Sequence, residues 1–184
     1  MQDRRGWWWF NFIEGFYEKS NSVTTVVSCP SKRLNDKRLM ENILCSNYGA
    51  NQSICKSSSQ SEPTDPEFVG TPLRSSDIPI PAETLLIVDS GYAMINWWHA
   101  TDEPPVILGN HKIEYASYIP GLWINKDRAL WPGLKEDAIY GRHLNKTVNV
   151  GFVDGHVGCK KADDLCVEET NGEYENRSPL WSSK

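Results

Sequence analysis

Val148-Asn-Val-Gly-Phe152 alternates apolar with polar or small residues, and Asp154-Gly155 follows almost at once, then His156-Val157. Alternation of period two makes a half-buried strand, and Asp-Gly between two such runs is a strong short-range hairpin signal. A two-residue type I′ turn would need positive φ at both central positions, which Asp and Gly tolerate. The chain must therefore build an antiparallel pair near residue 154, and that pair needs further strands and an apolar cover to be stable. Two other segments fit as partners. Val23-Thr-Thr-Val-Val27 is β-branched and ends at Cys29-Pro30, and Glu83-Thr-Leu-Leu-Ile-Val-Asp-Ser90 is a continuous apolar run closed by Asp-Ser-Gly. Such a run suits a central strand covered on both faces.

Helix signals are fewer. Trp9, Phe12, Ile13 and Phe16 fall at i, i+3, i+4 and i+7, one helical face, within residues 1–19. The three adjacent tryptophans Trp7, Trp8 and Trp9 suit a sugar or partner platform; the general behaviour of aromatic stripes favours core packing. Asp36 to Leu44 has room for a helical turn. Residues 46–71 are rich in Ser, Asn, Gly and Pro and read as loop, as do residues 91–142 with Trp97-Trp98-His99, Trp123, Trp131-Pro132-Gly133 and Tyr140-Gly141-Arg142. Ile78-Pro-Ile-Pro81 is extended, because a residue preceding proline is pushed out of the helical region. The expected fold is α+β in one globular domain over 1–184. It has a helix at 1–19, a mainly antiparallel sheet with long loops over 20–158, and a wrap over 159–184 anchored by Leu180-Trp181.

Net charge is −5, which argues against a nucleic-acid partner. No apolar run exceeds four residues, far short of a membrane helix or a signal-peptide core. Enzyme templates are missing: there is no Gly-x-Ser-x-Gly, no phosphate loop and no dinucleotide fingerprint. The histidines His99, His111, His143 and His156 include no pair at zinc-helix spacing, and no Cys-x-x-Cys occurs. Asp89 and Asp154 both end apolar runs, so they could share one sheet edge with His143 or His156 as an acid/base or cation site. The simpler reading makes both of them turn residues, and makes His143 a residue that fixes the entry of the following strand. Five cysteines leave one over: Cys45 with Cys55 and Cys159 with Cys166 could close loops in an oxidising compartment, with Cys29 the odd thiol.

The stretch Gly141-Arg-His-Leu-Asn-Lys-Thr-Val-Asn-Val-Gly-Phe-Val-Asp-Gly-His-Val157 resembles the C-terminal signature of bacterial prepilin-type proteins with a processing-associated H-X9-DG domain. Ten residues rather than nine lie between His143 and Asp154, and the extra one falls within Leu144 to Val148. Three further segments are similar to that family in the right order: Val27-Ser-Cys-Pro-Ser31, Ser46-Asn-Tyr-Gly-Ala-Asn51 and Pro81-Ala-Glu-Thr-Leu-Leu-Ile-Val-Asp-Ser90. The resemblance implies a pilin-like head, a non-enzymatic assembly subunit of a type IV pilus-like or type II secretion pseudopilus. Such a head contacts other pilin-like subunits or a secreted protein, at the periplasm or cell surface.

Family members begin with a leader and a long membrane helix. No such helix follows Arg4-Arg5, so the chain reads as a head cut after that helix with Met1 introduced; a soluble relative is the other option. The resemblance makes His143, Asn149, Phe152, Asp154, Gly155 and His156 shapers of the hairpin. Trp97, Trp98, Trp123 and Trp131 are then the contact surface. No cofactor is implied. Calcium enters only because related pseudopilin heads can hold it in a C-terminal loop, and no ligand set here has that spacing. The alternative from the tryptophans themselves is an extracellular carbohydrate-binding module.

Overall fold

The computed structural model describes residues 9–11, 27–45, 47–57, 66–102 and 115–183. A five-stranded sheet organises them. Its strands are β1 (Tyr48–Asn51), β2 (Leu85–Asp89), β3 (Met94–Ile95), β4 (Thr147–Phe152) and β5 (Val157–Lys161), in the order β3-β1-β2-β4-β5. All neighbours are antiparallel except β1 with β3. A separate antiparallel ribbon joins β6 (Glu168–Thr170) to β7 (Glu173–Glu175). The mixed, mainly antiparallel architecture agrees with the expectation.

The apolar run at 85–89 takes the central position, where neighbours on both sides satisfy its backbone. Along β4, Val148, Val150 and Phe152 turn into the core while Asn149 is exposed, as the alternation requires. The principal core packs these residues against Leu85, Val88, Ile95, Trp97, Leu122, Leu165 and Trp181. A second cluster holds Tyr118, Leu130, Leu134 and Ala138, with Leu39 and Trp131 against it. Among the described residues, no helix is long and apolar enough to cross a membrane.

The hairpin turn differs from the type I′ expectation. The Phe152 N–H donates to the His156 carbonyl and the Gly155 N–H donates to the Phe152 carbonyl, giving a three-residue loop. Only Gly155, at φ +94°, is left-handed there. A longer loop with a single glycine in the left-handed region is the next commonest way to join antiparallel strands. Asp154 accepts the His156 backbone N–H and pairs with its ring at 2.6 Å. The His156 ring lies flat on Phe152, with centroids 4.3 Å apart. Phe152, Asp154, Gly155 and His156 thus contact one another within the turn.

Several loop expectations are corrected. The segment 46–71 contains β1 and the short helix Gln52–Cys55, capped by the Asn51 side chain. Gly-Ala-Asn has little strand propensity of its own. The strand forms because Gly49 fits against Ser90 and the Tyr92 carbonyl, where an added Cβ would come within 2.8 Å. Residues 91–142 contain β3 and the helix Lys135–Tyr140, the latter entered through Pro132-Gly133. The expected turn near Asp36 is the helix Lys37–Glu41, whose first N–H groups are capped by Asp36.

The tail is more than a wrap, because it contributes β5 and the β6–β7 ribbon. Its end is pinned as expected: Trp181 is fully buried, and Leu180 accepts the Leu85 N–H at 2.8 Å. Within the helix expected over 1–19, the structure describes residues 9–11, which are helical; Phe10 packs with Val27 and Ala93, and the Trp9 indole donates to the Ala93 carbonyl. Phe12, Ile13, Phe16 and the strand assigned to 23–26 lie outside the described residues.

Candidate functional site

Four segments far apart in the chain meet where the β1, β2 and β4 backbones come side by side. Register places Asp89, the last residue of β2, opposite Tyr48 on β1. On the other side Asn149 of β4 donates its backbone N–H to Asp89 Oδ2 at 2.6 Å. Behind them Arg142 is entirely buried. Its Nε donates to both carboxylate oxygens of Asp137, at 3.1 and 2.9 Å. Its Nη1 donates to the Asn47 carbonyl at 2.5 Å and its Nη2 to the Ser90 carbonyl at 2.7 Å. Burial opposes the guanidinium charge, but Asp137, Tyr118 and Asp89 outweigh it and hold the pKa above its ordinary value. Asp137 also accepts the Tyr118 hydroxyl and the Arg33 N–H, each at 2.8 Å. The Cys29 N–H donates to the Asn47 side chain at 3.2 Å, which ties in the Cys-Pro-Ser segment.

His143 follows Arg142 and stands at the rim of this hub, its side chain about a quarter exposed. Its Nε2 lies 3.2 Å from Asp89 Oδ2, 3.1 Å from the Asn149 amide nitrogen and 4.0 Å from Cys29 Sγ. Burial pushes the Cys29 thiol pKa up, and the charge of Arg142 pulls against that shift. A nucleophile relay uses the two imidazole nitrogens for different neighbours, the base nitrogen for the thiol and the other for the carboxylate. Here one nitrogen meets all three groups, so the ring cannot pass a proton from thiol to carboxylate in that way.

After His143 the chain makes a tight turn, Leu144–Lys146, in which Asn145 and Lys146 are both left-handed at φ +56° and +55°. The turn brings His143 back beside Asn149.

The expected common edge for Asp89 and Asp154 is not formed. β2 and β4 run antiparallel with Leu85 opposite Phe152, so Asp154 sits beyond the other end of β2 from Asp89. Four residues of strand separate the two ends, about 13 Å. Asp89 pairs with His143 and Asp154 with His156. Asp89 is also no mere turn residue, since it is fully buried at the centre of the hub.

The tryptophans are not one surface. Trp97 is only 4% exposed, its ring in the core, its Nε1 donating to Glu67 at 3.1 Å and the Arg177 guanidinium over its face. It is thus removed from the contact surface. Trp98 is half-buried and meets Trp97 and Phe68 edge to face. Trp131 packs on the second cluster, and Trp123, 44% exposed with Lys126 over its ring, is the outward one of the four. The four rings do not make a planar exposed row.

The two possible cysteine loops are not closed, and all five cysteines are free. β1 and the helix after it lie between Cys45 and Cys55, while Cys159 projects outward from β5 and Cys166 is buried. Among the described residues, Cys29, Asp89 and His143 are the one group of His, Cys, Asp or Glu side chains whose donor atoms could hold a metal ion, all within 4.8 Å of one another. Sequence spacing could not find it, since Cys29 and His143 are 114 residues apart. Cys29, Asp89 and His143 lie in the segments 27–31, 81–90 and 141–157. No family model, curated protein or solved structure matches the chain.

Proposed function

We propose that the chain is the head of a pilin-like assembly subunit, of the type IV pilus or type II secretion class, and works by contact rather than by catalysis. The observation that carries this reading is the hub. The four segments that bear the family resemblance supply Cys29, Asn47, Asp89 with Ser90, and Arg142 with His143 and Asn149, and these residues bond to one another. A shared motif whose members brace one fold from four directions is what a scaffold needs, with neighbouring surfaces left free to vary. Tyr140 and Leu144, 62% and 83% exposed beside the hub, are natural contact positions for another subunit or a secreted protein. In this reading the head faces the periplasm or cell surface, held to the inner membrane by a helix that precedes it.

Photo-crosslinking in cells from a benzophenone residue at position 144 tests the proposal. Adducts with pilin-like subunits or a secreted protein in the envelope fraction are expected. A chain recovered only as an uncrosslinked monomer in the cytosol overturns it.

A further inference from the structure

We propose that Cys29, Asp89 and His143 bind one divalent transition-metal ion of the zinc class. Zinc held at about 2.3 Å by sulfur and about 2.0–2.2 Å by nitrogen and oxygen in a tetrahedron separates its S and N donors by about 3.5 Å and its N and O donors by about 3.4 Å. The corresponding distances here are 4.0 Å from Cys29 Sγ to His143 Nε2 and 3.2 Å from His143 Nε2 to Asp89 Oδ2. The third pair, Cys29 Sγ with the Asp89 carboxylate, lies within 4.8 Å against about 3.6 Å in such a tetrahedron, so the thiol swings in by up to about 1 Å to close the site. Each ligand comes from a segment already fixed by the fold: the backbone N–H of Cys29 is held by Asn47, Asp89 ends the central strand, and His143 adjoins the anchored Arg142.

His143 Nε2 faces Asp89 Oδ2 at 3.2 Å and the Asn149 amide at 3.1 Å. With that nitrogen unprotonated and the thiol ionised, sulfur, nitrogen and carboxylate oxygen all offer lone pairs toward one place, as a bound cation needs. Turning the Asn149 amide over presents its oxygen as a fourth donor. The other Asp89 oxygen, Oδ1, is buried with no hydrogen-bond partner, and its nearest cation is Arg142 Nη1 at 3.8 Å. Two fully buried carboxylates, Asp89 and Asp137, thus share one guanidinium that is committed mainly to Asp137. A second positive charge at the Cys29–His143 side balances the pair.

Mixed S, N and O donors favour zinc-like ions over calcium or magnesium, which take oxygen shells. Entry is from the rim, where His143 is partly exposed and Asn149 exposed. The bound ion would join three segments of the hub, and the site does not require that the chain assemble with others.

The test uses the full chain, reduced and stripped with chelator, titrated with Zn²⁺ against a chromophoric chelator and separately with Co²⁺. One ion per chain is expected, with a thiolate-to-cobalt charge-transfer band and a higher Tm in the loaded protein. Cys29→Ser and His143→Ala should each weaken Zn²⁺ binding by more than about 100-fold, beyond the 10–100-fold typical of outer-shell changes. Cys159→Ser and His156→Ala, which alter an exposed thiol and the separate Asp154 pair, should leave it unchanged. The cobalt spectrum is read on the unsubstituted chain, so a variant that fails to fold does not protect the proposal. Absence of a thiolate band, or Zn²⁺ affinity that survives Cys29→Ser, overturns it.

Discussion

Arg142 makes four hydrogen bonds to three separate segments from a position with no solvent contact. A lysine there keeps the charge but offers a point in place of a planar fork, so at least two of the Asp137, Asn47 and Ser90 acceptors lose their donor. Losing hydrogen bonds made by a buried charged group costs about 1.5–3 kcal/mol each. Urea unfolding of Arg142→Lys should therefore show a loss of that order, and a midpoint equal to the parent's would show that the hub is not the brace described.

His99 gives a pH-dependent term. It is buried beside Arg128 and its Nδ1 accepts the Asn96 N–H at 3.2 Å. Burial first, then the Arg128 charge, lowers its pKa to about 3. The unfolded chain takes up a proton near pH 6.5, while the folded chain refuses it until about pH 3. Stability from this residue is complete above pH 6.5 and declines as pH falls, by about 1.4 kcal/mol per pH unit at most, or about 2 kcal/mol by pH 5. His99→Gln should flatten the stability profile between pH 6.5 and pH 4 relative to the parent.

At the scale of elements, glycines set two close fits. Gly91 ends the Asp-Ser-Gly turn after β2, and a Cβ there would stand 2.1 Å from the Tyr118 ring and 2.3 Å from the Ala116 carbonyl. Its absence lets Tyr118 lie against the turn and reach Asp137. Gly91→Ala should therefore cost more than about 3 kcal/mol, above the usual range for overpacking because backbone as well as a ring must move. Gly155→Ala meets nothing within 4 Å, so it carries only the left-handed backbone penalty of about 1–2 kcal/mol. Thermal unfolding of the two variants should rank them in that order.

The same elements explain what could be read beforehand. β2 and β4 were legible because their apolar patterns are local and strong. Asp-Gly marked the hairpin, although the number of loop residues depends on which backbone pair closes it, Phe152 with His156, and composition does not fix that. β1 was not legible: Tyr-Gly-Ala-Asn becomes a strand through its neighbours on β2 and β3. The Cys29–Asp89–His143 group was hidden for a stronger reason. Its members belong to three elements whose convergence is set by sheet order, so no spacing along the chain encodes it. Trp97 misled because an aromatic pair in an irregular stretch suggests a surface, whereas Arg177 and Glu67 satisfy its ring and indole N–H inside the fold.

Across the whole molecule the tail closes what the sheet begins. Trp181 is fully buried and donates to the Leu165 carbonyl at 3.0 Å, and the Asn51 side chain donates to both the Leu85 and Trp181 carbonyls at 2.8 Å. The C-terminal segment is thereby joined to the end of β1 and the start of β2. Trp181→Ala should cost about 3–5 kcal/mol through the cavity and the lost contacts. Calorimetry should show one lowered transition; an unchanged Tm would mean that the tail is not integral.

The hub also has a consequence in time. Its bonds span 52, 60, 95 and 114 positions along the chain, so the chain must close long loops before they can form. The β4–β5 hairpin closes over three residues and is available early. In a chevron plot, Arg142→Lys should chiefly steepen the loss through faster unfolding, while Gly155→Ala should slow refolding. The part of the molecule that holds the native state longest is then the part that arrives last.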